Sequence, residues 1–137
     1  MSLFNIFDVA GSGMSAQSVR LNTTASNIAN ADSVSSSVNE TYKARHPIFE
    51  AEMAKATHDQ QAVGVQVRGV VESDAPLTRE FSPDHPLADK DGFIYKSNVN
   101  VMEEMADMIS ATRSYQMNVQ VADAAKSMLQ QTLRMGK

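Results

Sequence analysis

The sequence predicts an α+β fold in which two long terminal helices pair as a coiled coil and carry a small β-rich segment between them. Three observations predict it. Apolar residues near both ends recur at alternating spacings of three and four, the middle stretch alternates at a period of two, and turn-forming residues concentrate in that middle stretch. The expected segments are an N-terminal helix at 1–30, an extended, β-rich segment at 31–97 and a C-terminal helix at 98–137.

The first helix is expected over residues 3 to about 30. Phe7, Met14, Leu21 and Ile28 fall seven apart, with Leu3, Ala10, Gln17 and Thr24 as the interleaved line. That spacing keeps both lines on one flank of a slightly underwound helix. In isolation the helix is weak, because Gly11 and Gly13 each cost roughly 1 kcal/mol relative to alanine. The run Asn22 to Asn27 adds further weak helix formers. Only Asp8 and Arg20 carry charge in the first thirty residues, so this helix is expected to be surrounded by protein. Gly11, Ser12, Gly13, Ala16 and Ser18 are small enough for another backbone to approach, the alternative being a hinge. Asn30, Asp32 and Ser33 read as the stop.

Residues 31–46 read as a loop or extended segment with a serine-rich run, Ser33 to Ser37. Tyr42 to Met53 mixes charged and apolar residues, and Pro47 favours an extended chain before it. Gly64 to Val71 is the best-marked strand, with Val63, Val65 and Val67 on one side and Gln66 and Arg68 on the other. Leu77 to Phe81 reads as a second extended stretch. After the turn-rich Ser82 to Pro86 and Asp91-Gly92, Phe93 to Lys96 reads as a third.

The C-terminal helix carries Val101, Met108, Tyr115, Ala122 and Leu129 on one heptad line and Met105, Thr112, Val119, Lys126 and Leu133 on the other. Asn100 is placed to cap it, with Glu103 three residues on, as in a capping box. Glu104 and Asp107 near the start and Arg134 and Lys137 near the end suit the helix dipole. Met117, Val121, Ala124, Ala125, Met128 and Met135 lie off both lines, more apolar surface than one partner helix covers. Two explanations stand: a core helix with a wide buried face, or a helix packed on several sides by helices of other subunits.

Composition narrows the function. A chain of 137 residues supports one domain with a modest core, and a net charge of −4 without a basic cluster argues against nucleic-acid binding. No run of about 18 apolar residues is present to span a membrane. Leu3 to Ala10 is interrupted by Asn5 and Asp8 and has no basic residue before it, so no cleaved secretory signal is expected. The absence of cysteine removes disulfides, thiolate nucleophiles and cysteine-ligated zinc. Nine methionines suit either an adaptable core or a surface that meets several non-identical neighbours.

No catalytic, cofactor or metal site is expected. His46, His58 and His85 stand in separate contexts without a second histidine at ligand spacing. Asp84, Asp89 and Asp91-Gly92 suggest a calcium loop, but Leu87 and Lys90 interrupt the alternate ligand positions, and a turn satisfied by local amides fits better. No G-x-S-x-G elbow or phosphate-cradling glycine loop accompanies the serines.

The two ends together carry a resemblance. The stretch Asp8 to Ser33, through Gln17, Arg20, Leu21 and the run Ala25-Ser-Asn-Ile-Ala-Asn-Ala-Asp32, is similar to the N-terminal signature of bacterial flagellar axial proteins. Asn98 to Met105, Met108 to Val119 and Ala125 to Leu129 resemble the motif that closes rod proteins of that family. His85 to Phe93 and Gly64 to Val71 resemble segments that distinguish one rod subunit from its sisters. Two departures are Val101, where the family commonly has proline, and Met117, where it often has alanine.

The resemblance implies a structural subunit of the proximal rod of the flagellar basal body, the drive shaft that transmits motor torque across the periplasm. Its implied partners are other rod proteins and copies of itself in a helical assembly, together with the flagellar type III export apparatus, through which members leave without a cleaved leader. The terminal helices would form the inner layer and the central segment the outside. Physical reasoning is compatible: weak helices that bury apolar stripes only against neighbours order on assembly, and non-closing heterologous contacts build filaments. The expected subunit-contact residues are Phe7, Met14, Leu21 and Ile28 on the first helix and Met105, Met108, Tyr115, Val119, Leu129 and Leu133 on the second. The alternative is a soluble coiled-coil adaptor or export chaperone that binds a partner helix without polymerising. Against it stands the near absence of charge in residues 1–30.

Overall fold

The structure is a computed structural model that describes residues 3–52 and 63–136. His58 and Met53 lie outside the described residues. Helix α1 spans Leu3–Ala29 and helix α2 spans Val101–Met135, so the two expected helices form close to their expected limits. At about 1.5 Å per residue, the 35 residues of α2 run about 52 Å.

The ends of the helices follow from local chemistry. Asn100 is the N-cap of α2, with extended backbone (φ −96°, ψ 104°) and a side chain that accepts the Met102 N–H at 3.2 Å. Glu103 and Glu104 occupy the first turn and Arg134 the last, and the Gly136 N–H closes the helix on the Thr132 carbonyl. At the end of α1, the Asn30 N–H reaches the carbonyls of both Ser26 and Asn27, and its side-chain amide also donates to Ser26 O.

Between the helices lie five strands: β1 (Val34–Ser35), β2 (Arg45–Ala51), β3 (Val65–Glu72), β4 (Thr78–Phe81) and β5 (Phe93–Lys96). They form two separate sheets. One is three-stranded and antiparallel in the order β1-β5-β4, and the other is the antiparallel pair β2-β3, with a register shift between Ile48 and Phe49. Strands β3, β4 and β5 fall on the three stretches read as extended. Strand β2 falls where the sequence reading assigned no strand, and its Pro47 sits opposite Val70. A proline has no N–H for the ladder, which confines it to an edge, and a two-stranded sheet consists of edges alone.

The helices run antiparallel, because contacts pair Gly13 with Asn118, Arg20 with Asp107 and Asn27 with Glu104. The β2-β3 pair leans on α1. Its anchor there is the Ser12 hydroxyl, which accepts the Val65 N–H at 3.1 Å and donates to Val9 O at 2.9 Å. A side chain on Gly64 would strike that hydroxyl at 2.9 Å, so the glycine permits the approach.

The loop from Ser82 to Gly92 is a string of turns. Asp89 accepts the Lys90 N–H on its carboxylate and the Gly92 N–H on its carbonyl. Gly92 takes φ +77° beneath Phe81 and Pro83, which explains the glycine at that position. Phe81 and Phe93 meet edge to face at 5.1 Å, and the Arg79 guanidinium lies over the Phe93 ring.

Very little of this chain is interior. Among the described residues the buried apolar positions are Ala10, Ala16, Ala44, Ile94, Ala111 and Ala125, and the one large side chain that is fully buried is the amide of Asn27.

Candidate interaction surface

The seam between α1 and α2 is built from short and polar side chains. On α1 the residues that meet α2 include Gly13, Arg20 and Asn27, seven apart, with the buried Ala10 and Thr24 on the interleaved line. On α2 they include Glu104, Ala111, Asn118 and Ala125, also seven apart. On α1 one of the two heptad lines read from sequence includes the buried Ala10 and Thr24, whereas on α2 neither line has a buried member, and Met108, Ala122 and Leu129 are half-buried. The lines through Gly13 and through Glu104 are each displaced by one residue from a line read from sequence. Gly13, Ala111 and Ala125 on these lines let the helices approach closely, as at Gly13, where an added Cβ would sit 2.7 Å from Asn118 Nδ2.

One end of the seam is closed by a hydrogen-bond hub. Asn27, 0% exposed, donates from Nδ2 to Glu104 Oε1 at 2.9 Å and to Arg45 O at 2.8 Å. Its Oδ1 accepts the Arg45 N–H at 2.9 Å and the Tyr42 hydroxyl at 2.9 Å. All four hydrogen-bonding positions of the amide are therefore used. A second asparagine completes the junction: Asn98 accepts the Ala44 N–H on Oδ1 and donates to Ala75 O, holding the base of β2-β3 to the start of α2. The salt bridge Arg20–Asp107, at 2.6 Å, lies next along the seam. Neither asparagine stands out by sequence periodicity, because all their partners lie far along the chain.

With the seam occupied by small residues, the bulky ones face outward. Of the ten expected contact residues, Met105, Tyr115 and Leu133 are exposed. Phe7, Met14, Leu21, Ile28, Met108, Val119 and Leu129 are half-buried along the margins of the helix pair. The exposed set also includes Met102 and Ile109 in the first half of α2 and Met117, Val121, Met128 and Met135 in the second. Met117, Val121, Ala124 and Met128 repeat the four-three-four spacing, with Met135 seven residues further on. They form another heptad stripe, pointing away from α1. Ala125, by contrast, is buried. The antiparallel pairing also carries the last two turns of α2 beyond Leu3, where every described residue from Gln130 to Gly136 is exposed.

Among the described residues no three histidine, aspartate or glutamate side chains converge to hold a metal, and no helix is long and apolar enough to cross a membrane.

Comparison with known proteins identifies the family. The flagellar basal-body rod protein FlgC of Salmonella typhimurium is 45% identical over 137 residues, covering all of both chains. This chain belongs to the FlgC family of flagellar basal-body rod proteins. The FlgC of Yersinia enterocolitica is 46% identical over the same span, and that of Buchnera aphidicola subsp. Baizongia pistaciae remains 32% identical over 139 aligned positions. Two family models match the two ends: "Flagella basal body rod protein" over residues 7–35, and "Flagellar basal body rod FlgEFG protein C-terminal" over residues 90–135. The first match covers most of α1 together with β1, and the second covers β5 and α2.

As a FlgC-family member, the chain is a structural subunit of the flagellar basal-body rod rather than an enzyme, and it belongs in the basal body among other flagellar axial proteins. The non-polymerising adaptor is thereby set aside.

Proposed function

We propose that this chain is a proximal-rod subunit whose helix pair is a short antiparallel coiled coil, closed at the Asn27 end and completed along its outer flanks by neighbouring subunits. The observation that carries the reading is the open flank of α2, where Met102, Met105, Ile109, Met117, Val121, Met128, Leu133 and Met135 are all exposed, an apolar surface of the kind that marks a protein–protein contact. The contacts are Phe7, Met14, Leu21 and Ile28 on α1 and Met105, Met108, Tyr115, Val119, Leu129 and Leu133 on α2, with copies of this chain and other rod proteins as the covering partners.

In this reading residues 1–30 and 98–137 form the inner, load-bearing layer and residues 31–97 decorate the outside. Torque passes through helix flanks packed on several sides, a task that needs no reacting group. A seam of alanine, glycine and polar side chains buries little apolar area, so the pair opens at modest cost. That property suits passage through the type III export apparatus as an unfolded chain, followed by refolding against the growing rod.

Leu133→Asp tests the reading, because Leu133 is 67% exposed and touches no hub residue. The variant subunit is expected to keep the helical content of the wild type while failing to restore motility to cells that lack the native subunit. Motility restored to the wild-type level would overturn the assignment of this flank to subunit contacts.

A further inference from the structure

Six of the nine methionines sit on α2. Five of the six are exposed, namely Met102, Met105, Met117, Met128 and Met135, with Met117 at 65% and Met135 at 82%. Met108 on the same helix and Met14 on α1 are half-buried. A thioether sulfur in water is open to two-electron oxidation, and the product sulfoxide is polar and chiral where the parent was apolar and flexible. The chain has no cysteine, so no thiolate competes for the oxidant.

We propose that these five methionines are modification sites, at which an oxidant of the hydroperoxide class converts the unassembled subunit into a form that the rod does not accept. The reaction is oxygen transfer. A sulfur lone pair attacks the terminal peroxide oxygen, the S–O bond forms as the O–O bond breaks, and the hydroxyl proton passes to the departing oxygen. Sulfur is oxidised by two electrons, and the peroxide is reduced to water or an alcohol. Once a neighbour covers α2, the sulfurs are shielded, so a finished rod resists what a waiting subunit does not. Reduction of the sulfoxides restores competence. The consequence for assembly rests on the reading above that the outer flanks of α2 are subunit contacts.

The magnitude follows from burying a sulfoxide in an apolar contact. An unpaired polar group there weakens association about tenfold per site, so two or three oxidised residues suffice to exclude the subunit.

The test has two arms. Purified full-length subunit is treated with hydrogen peroxide and followed by peptide mass spectrometry, with Met102, Met105, Met117, Met128 and Met135 expected to gain one oxygen each severalfold faster than Met14 and Met108. Equal rates at all seven would overturn the site assignment. In cells lacking the native subunit, wild type is then compared with a variant carrying leucine at all five positions under a peroxide pulse. New basal bodies are expected to fall at least tenfold in the wild type and to persist in the leucine variant; equal loss in both overturns the proposal. A variant with glutamine at the five positions separates the two readings. If it assembles like wild type, the flanks are not contacts and both readings fail. If it fails to assemble while oxidised wild-type subunit is incorporated, the contact reading stands and the oxidation proposal alone falls.

Discussion

Asn27→Ala is the sharpest test of how the subunit is held together. The substitution removes a fully buried amide and with it four hydrogen bonds, two to the Arg45 backbone, one to Tyr42 and one to Glu104. Glu104 is the decisive partner. It is 3% exposed, and its Oε2 is buried without a hydrogen bond among the described residues, so the Asn27 amide is what stabilises this carboxyl group. Leaving buried hydrogen-bonding groups on Glu104, Arg45 and Tyr42 without their partner, together with the small cavity, costs about 3–5 kcal/mol. Domains are stable by about 5–15 kcal/mol, and an interior made chiefly of alanines puts this one at the low end. For 137 residues the loss corresponds to a melting midpoint about 10–20 °C lower. The assay is far-ultraviolet circular dichroism of the purified subunit against temperature, with the exposed Ser18→Ala as a control expected to stay within about 2 °C of wild type or rise. A midpoint for Asn27→Ala within about 3 °C of wild type would refute the hub as the main fastening of α1 to α2.

Three further outcomes follow from glycines in different surroundings. Gly11→Ala meets nothing within 4 Å and is expected to raise stability by about 0.5–1 kcal/mol through helix propensity. Gly13→Ala collides with Asn118 and is expected to lose that gain, which Gly13→Ala combined with Asn118→Ala recovers; urea midpoints of the four proteins measure the coupling. Gly92→Ala must hold φ +77° with its Cβ against Phe81 and Pro83, so a loss of about 1–2 kcal/mol is expected in the same urea series.

The two helices were legible because apolar spacing and the Asn100 cap are local signals, β3 because its alternation is local, and β5 because turn-forming residues set it off. Strand β2 was not, since Arg45, His46, Pro47 and Glu50 break any alternating pattern and its pairing depends on β3, about twenty residues along the chain. Which helix faces meet was not legible. Heptad reading weights large apolar residues, whereas the packed lines here are Gly13, Arg20 and Asn27 against Glu104, Ala111 and Asn118. The displacement has a physical reason: close approach within the subunit requires short side chains, leaving Met105, Tyr115 and Leu133 exposed. The same logic hid Asn27, whose importance lies in Tyr42, Arg45 and Glu104 rather than in its neighbours on the helix.

The most direct test of the account compares amide hydrogen exchange in the purified subunit with that in intact basal bodies. Amides near Asn27, Arg45 and Asn98 are expected to be protected in both, because the hub forms within one chain. Residues 126–135 of α2, exposed in the single chain apart from the half-buried Leu129, are expected to exchange rapidly in the subunit and to become strongly protected in the basal body. Strong protection of 126–135 already in the isolated subunit, unchanged on assembly, would contradict the claim that neighbouring subunits complete this helix.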